Sequence, residues 1–192
     1  MISFLKILVV AVVALVLGLL ASRYTLSRAS PFDRVRLGAW ELEGHAGSTG
    51  ADPYTRARLA QSAEIPLALG EGLQWIARTD DAGRALDPRC VYEVGPRVPA
   101  ARYWTLSVVD PRGFPVPNAL ERYGFRSSEV LRSSNGDFIV TVAAQPQSGN
   151  WLPVGSSGSF ALALRLYDAP LGATPGAIDA AAAPSVTRTR CG

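Results

Sequence analysis

The side chains in this sequence with chemistry to offer are mainly arginines, asparagines and carboxylates. Arg56, Arg58, Arg102, Arg122 and Arg165 recur inside otherwise apolar segments. A strand arginine among apolar neighbours must have its guanidinium paired, or must lead it to the surface. Two arrangements satisfy that demand. One is a set of ties to Asp110 or Glu121. The other is a cluster with Asn118 and Asn150 that receives an anion, because guanidinium groups hold carboxylates bidentately. Asp110, Glu121 and Asp137 fall near strand ends, where two of them brought together would make an acid–base pair. Each is better suited to a turn or an ion pair.

Other catalytic equipment is sparse. The single histidine, His45, sits in a glycine-rich stretch that reads as a solvated loop, so a Ser–His–Asp arrangement has no placed base. No G-x-S-x-G elbow, Walker loop or dinucleotide fingerprint occurs. Gly155-Ser156-Ser157-Gly158-Ser159 resembles a phosphate-binding loop in composition, but no helix follows it, so it reads as a strand connection. No cofactor is expected. The two cysteines, Cys90 and Cys191, belong to no C-x-x-C pair, and with one histidine they cannot assemble a zinc site, so no metal is expected. Behind an export-type N-terminus the pair reads as one disulfide, with two free thiols as the alternative. Closing a loop of about a hundred residues contributes roughly 4–5 kcal/mol in the chain-entropy model.

These residues have to be positioned by elements, and the elements are mostly strands. Residues 35–42 read as a first strand. Asp52-Pro53 opens a short helix, with Asp52 as cap and Pro53 in the first turn. From Leu73 onward the apolar period is two. Residues 74–79 and 90–94 bracket Asp80-Asp81-Ala82-Gly83, which reads as a hairpin turn. Residues 102–109 place Trp104, Leu106 and Val108 on one face, and Tyr103 on the other. A short strand over 122–127, the Asn135-Gly136 turn, alternation at Phe138, Val140 and Val142, and a strand from Phe160 to Leu166 follow. Residues 173–184 are a low-complexity Ala/Pro connection, and Ser185 to Cys191 forms a last edge strand. Many short alternating strands with one helix imply an antiparallel β-sandwich or jelly-roll.

Within that pattern Trp151 is unusual, a large aromatic between Asn150 and Pro153 in what reads as a turn. It suits a lid over the end of the sandwich or an aromatic platform at the mouth of a cleft.

The N-terminal segment is of another kind. Ile7 to Ala21 carries no charge, and counting from Ile2 about 20 mostly apolar residues are available, enough to cross a bilayer as one helix. A cleaved signal peptide and a buried core helix are the alternatives; the first lacks its A-x-A site here and the second its polar face. The organisation read from this is a transmembrane signal-anchor over 1–22, a polar linker over 23–34 and a β-sandwich domain over 35–192. The chain carries 19 basic and 16 acidic residues, but Lys6, Arg23 and Arg28 flank the apolar segment. With those set aside the outer domain is formally neutral and has no basic run, so nucleic acid is not expected as a partner.

Several motifs occur in order: "PYTRARLA" at 53–60, "ARYWTLSVVD" at 101–110, Asn118, Arg122, "NWLP" at 150–153 and "LRLY" at 164–167. Together they resemble the bacterial family called domain of unknown function 1214, over most of residues 35–192. The resemblance implies a jelly-roll-like β-sandwich. It also implies that in longer proteins the domain follows a second domain, absent here, whose place a separate envelope protein would take. It carries no activity. The candidate ligand or partner cluster is therefore Tyr103, Asn118, Arg122, Asn150, Trp151 and Arg165, with Trp40 and Trp75 as further candidates for an exposed partner surface. The expected function is a noncatalytic binding or interaction module, anchored in the inner membrane and facing the periplasm. A hydrolase or isomerase working with carboxylates and arginines on a small envelope substrate is the alternative.

Overall fold

Alternation of apolar and polar residues makes each strand two-faced, and two sheets bury their apolar faces against each other. The computed structural model describes residues 2–26, 34–44, 46–68, 70–156, 158–169 and 183–192. His45 and the connection over 173–182 lie outside the described residues.

The first sheet has six strands: β1 (Arg34–Leu37), β2 (Trp40–Glu43), β3 (Gly72–Ala77), β9 (Ala161–Tyr167), β5 (Tyr103–Val109) and β6 (Gly124–Arg126), in that spatial order and antiparallel throughout. The second has four, β10 (Ser185–Cys191), β4 (Cys90–Gly95), β7 (Val140–Ala143) and β8 (Asn150–Pro153). The protein is a mainly β sandwich, as the alternation predicts. Trp40, Trp75, Trp104, Leu106, Leu162, Leu164 and Leu166 from the first sheet meet Tyr92, Val94, Val140, Val142, Leu152 and Val186 from the second in one core. Each large side chain so buried stabilises the fold by roughly 1.5–3 kcal/mol. Trp40 and Trp75 are therefore interior residues, 1% and 0% exposed, and not part of any partner surface.

Three local expectations are corrected. Residues 35–42 are not one strand but a hairpin. Gly38, at φ 61°, takes the left-handed conformation that a two-residue loop requires, and Leu37 pairs with Trp40. The segments flanking Asp80–Gly83 do not pair with each other. The turn is closed only by a Thr79–Ala85 bridge, with Asp80 Oδ1 accepting from the N–H groups of Ala82 and Arg84. The chain then crosses the corner to the other sheet, where β4 pairs with β10 and β7. Period-two patterning fixes which face a residue takes and leaves open which strand it pairs with. Lastly, residues 150–153 form a strand, and β8 runs parallel to β7.

Asn150 explains that last arrangement. Buried at 6% exposure, it accepts from Leu131 N–H at 2.7 Å and donates to the carbonyls of Leu131 and Ile139, so it staples three chain segments. Trp151 is half-buried, and its indole N–H donates to Ala143 O at 2.9 Å, fastening the outermost strand to its neighbour. Pro153 suits an edge strand, where no ladder donor is missed.

Cys90 and Cys191 are directly opposed in the β4–β10 ladder and form a disulfide, with Cα atoms 3.9 Å apart. The same strand is held at its other end by Asp81, whose N–H donates to Val186 O while its carboxylate accepts from Val186 N–H. Asp80 carries ion pairs to Arg84 at 2.9 Å and Arg188 at 3.0 Å. Burial alone would push its carboxyl up. The Arg84 backbone N–H and guanidinium, with Arg188, outweigh burial and hold the pKa below the usual carboxylate range.

Helix α1 (Ile2–Leu26) contains a span, Ser3–Thr25, long and apolar enough to cross a membrane. Helix α2 (Pro53–Leu59) has the expected cap: Asp52 Oδ1 accepts from Tyr54 N–H at 2.9 Å and Thr55 N–H at 3.2 Å.

Candidate functional site

The first sheet has a second face, turned away from the core, and its register decides which side chains meet there. On β5 the residues alternating with the buried Trp104, Leu106 and Val108 are Tyr103, Thr105 and Ser107. Pairing sets Thr105 between Arg165 and Arg126, Ser107 between Ala163 and Gly124, and Tyr103 against Tyr167. On the other side of β9, Gln74 opposes Arg165 and Ile76 opposes Ala163. This outer face divides into two halves of different construction.

The open half is a groove of about 620 Å³ over β5, β6 and β9. Arg165 is half-buried in it and donates from Nε to Gln74 Oε1 at 3.0 Å. No carboxylate lies within ion-pair reach of its guanidinium among the described residues. Arg122 stacks at 4.1 Å over the ring of the buried Phe125, also without a carboxylate partner among the described residues. Arg126 has only a loose pair, 3.8 Å, with Glu129. The Tyr103 and Tyr167 rings contact at 5.9 Å at one end. Asn118 holds the bordering loop: its Oδ1 accepts from Leu120 and Arg122 N–H, and its Nδ2 donates to Arg122 O. That clamp supports Glu121 at φ 52°, a conformation a glutamate adopts only when its surroundings impose it. Gly124 forms part of the floor. A Cβ there would meet Leu106 O at 2.7 Å, so a side chain at this position would force β6 off β5.

The covered half lies over β2 and β3 beneath a strap made of α2 and residues 60–68. Its charges are matched in a chain. Arg36 meets Glu41 at 2.6 Å, Arg78 reaches Glu41 and Glu64 at 3.5 Å each, and Arg58 meets Glu64 at 2.5 Å. The space left between strap and sheet is about 40 Å³. Ala63 N–H donates to Arg112 O at 2.8 Å, tying the strap to the turn after β5.

The sequence cluster is thus divided between the two sheets. Arg122 and Arg165 line the groove, Tyr103 stands at its end against Tyr167, and Asn118 shapes its border. Asn150 and Trp151 stand on β8 in the opposite sheet. The ties expected between the interior arginines and Asp110 or Glu121 are replaced by others: Arg58 with Glu64, Arg102 with Asp168 at 3.7 Å, Arg56 with Thr49 O. Asp110 caps its own turn, accepting from Arg112 and Phe114 N–H, and pairs with Arg112. Asp137 pairs with Arg97, which holds its carboxyl below the usual range. Asp110, Glu121 and Asp137 therefore form no dyad. Sequence reading missed Glu41, Glu64 and Arg78. The available signal was Glu41 alternating with the apolar Trp40 and Leu42 in a short strand. Such a carboxylate needs a cationic cover. Among the described residues no three His, Cys, Asp or Glu side chains gather where they could hold a metal ion.

An N-terminal apolar helix, a disulfide-tied β-sandwich and a polar groove on one outer face define a single β-sandwich domain carried behind a potential membrane span. The family model described as "Protein of unknown function (DUF1214)" matches residues 71–171, more than half of the chain, and the chain belongs to that family. Among solved structures, the VPA0106 protein from Vibrio parahaemolyticus superposes with a TM-score of 0.55 at 18% identity, covering 73% of this chain and 36% of that one. An uncharacterized protein from Burkholderia cenocepacia gives a TM-score of 0.39 at 16% identity, covering 76% of this chain and 46% of that one. The first likeness is one of fold. This chain corresponds to less than half the length of either. No curated protein matches it.

Proposed function

We propose that this protein is a noncatalytic binding module of the cell envelope. It is anchored by α1 in the inner membrane, its sandwich faces the periplasm, and its open groove receives a carboxylate-bearing ligand. The observation that carries the ligand class is Arg165: a guanidinium half-buried on a sheet, oriented through Nε by Gln74, with its remaining donors unmatched by any carboxylate among the described residues. A carboxylate accepting from those donors gains charge-assisted hydrogen bonds without a competing internal partner. The Cys90–Cys191 disulfide supports an oxidising compartment. Arg23 and Arg36 lie on the domain side of α1, against the usual charge bias, but whole domains translocate despite nearby charge.

The groove is tested with the full chain in nanodiscs, titrated with a series of mono- and dicarboxylates. Saturable binding is expected, weakened at least about tenfold by Arg165→Gln, the loss of roughly 1.4 kcal/mol, and unchanged by Arg89→Gln on the other sheet. Equal affinity of wild type and Arg165→Gln sinks the reading. Orientation is tested separately, by alkaline phosphatase fused after Gly192: an inactive fusion refutes a periplasmic domain.

A second reading, a carboxylate/arginine hydrolase or isomerase, rests on Glu121 and Glu129 lining the same groove. It requires turnover of a bound ligand that Glu121→Gln abolishes. Leu120 and Tyr123, exposed at 59% and 38% beside the groove, are where a second envelope protein would cover it.

A further inference from the structure

The strap over the covered half has an outer side of its own. Ile65, at 75%, is the most exposed large hydrophobic residue in the described chain. Phe114 is 49% exposed and is its neighbour, because Glu64 packs against Gly113 and Ala63 is hydrogen-bonded to Arg112. Arg112 stacks over the Phe114 ring at 5.3 Å and is itself mostly exposed. At the start of the strap Tyr54 is 46% exposed and Arg56 is exposed beside it. Apolar and aromatic side chains flanked by arginines are the composition of a surface that sits at a headgroup boundary.

Three further observations say what that boundary is. Helix α2 lies against α1. The end of α1 carries Arg23 and an exposed Tyr24, the residue types that mark the level where a spanning helix leaves the hydrocarbon. The chain between Leu26 and Arg34 spans at most about 29 Å, so the sandwich is tethered close to the end of α1. We infer that the strap and the Arg112–Phe114 turn form a bilayer-docking face. Tyr54, Ile65 and Phe114 enter the headgroup–acyl boundary of the phospholipid membrane that α1 crosses, and Arg56 and Arg112 meet its phosphates. The groove, on the other half of the same sheet face, then opens beside the bilayer. This inference rests on α1 spanning the membrane and is independent of what the groove binds.

The test uses the full chain, disulfide intact, in nanodiscs of phosphatidylcholine and phosphatidylglycerol. Single cysteines replacing Val12, Ile65, Phe114 or Asn135 are nitroxide-labelled, and accessibility to oxygen is compared with accessibility to a water-soluble nickel chelate. Labels at 65 and 114 are expected to show an oxygen-to-nickel ratio several-fold above that at 135, which stays aqueous. A label at 12 in lipid with 65 and 114 indistinguishable from 135 overturns docking and leaves the anchor standing. An aqueous label at 12 overturns the anchor and docking together.

Discussion

The two halves of the outer sheet face use the same residue types to opposite ends. Over β2 and β3, three arginines and two carboxylates alternate in a chain, each charge neutralised by the next, beneath a strap that leaves only about 40 Å³. Over β5, β6 and β9, three arginines face a groove of about 620 Å³ with one loose carboxylate pair among them. Arginine content therefore says nothing about which half is available to a ligand. What differs is whether the carboxylates of the neighbouring segment pair closely with those arginines. In the strap they do, through Glu64. The loop that borders the groove turns its asparagine inward to bind backbone and leaves Arg122 and Arg165 without a carboxylate partner among the described residues. A matched charge chain closes its half, and an unmatched one is what the proposed receptor requires.

The largest expected effect falls on the scaffold both halves share. Replacing Cys90 and Cys191 together with serine removes a cross-link over a 101-residue separation, and should cost about 4 kcal/mol of stability by the chain-entropy account. Denaturant midpoints measure the loss. Hydrogen exchange should show both halves of the outer face losing protection alike. If one half is untouched, the two do not stand on a common scaffold and the comparison is broken.

Next comes the closure device itself. Glu64→Gln keeps shape and removes the charge shared by Arg58 and Arg78. Losing the charge opposite Arg58, while Arg78 keeps Glu41, should cost about 2 kcal/mol. Protection should fall first over residues 53–68, while carboxylate binding in the groove persists. Loss of groove binding with an intact strap would mean that the halves are one coupled site.

How much of this was legible beforehand follows from what alternation can encode. Tyr103 out and Trp104 in, the Asp52 cap, the Cys90–Cys191 bridge and the edge strand at the C-terminus all depend on local chemistry or on period two, and all are present. The split of 35–42 at Gly38 was also local. It was missed because one glycine in an alternating run reads equally as a bulge. Asn150 and Trp151 landed on the wrong sheet for the candidate cluster because strand partnership is nonlocal: nothing in "NWLP" says that its neighbour is β7. The Glu41–Arg78–Glu64–Arg58 chain was invisible for the same reason, since its members come from a hairpin, a strand end, a loop and a helix.

A smaller effect appears in acid. Asp80 and Asp87 both take their protons below the ordinary carboxyl range. Burial of Asp80 is outweighed by Arg84 and Arg188, and the side chain and N–H of Arg89 bring Asp87 down to about 2. The unfolded carboxyls protonate near 3.9, so between about pH 4 and about pH 2 the unfolded chain binds more protons than the folded one. The stability contributed by these groups is present above that window and is lost as pH falls through it. Because Asp80 holds Arg188 on β10, Asp80→Asn should be less stable than wild type near neutrality and should converge with it in acid. Parallel curves would remove Asp80 from the corner that supports both halves.

The smallest expected change in stability comes from Tyr103→Glu, and it bears most directly on the half proposed as a receptor. Tyr103 sits on the outer face, two residues from Thr105, and its ring contacts Tyr167 at 5.9 Å. Losing a half-buried aromatic pair of this kind costs about 1 kcal/mol, because the adjacent Trp104, on the opposite face, keeps its place in the core. The new carboxylate would stand at the end of a groove in which Arg122 and Arg165 have no carboxylate partner among the described residues, and would compete for them as a tethered ligand. Binding of added carboxylates should therefore weaken while thermal unfolding barely moves. Tyr103→Phe, which keeps the ring and adds no charge, should leave both nearly unchanged. If Tyr103→Glu unfolds the domain, the ring is structural and the groove ends short of it. If binding is unaffected in a folded protein, the arginines at that end are not the receptor, and the difference between the two halves reduces to one of cover alone.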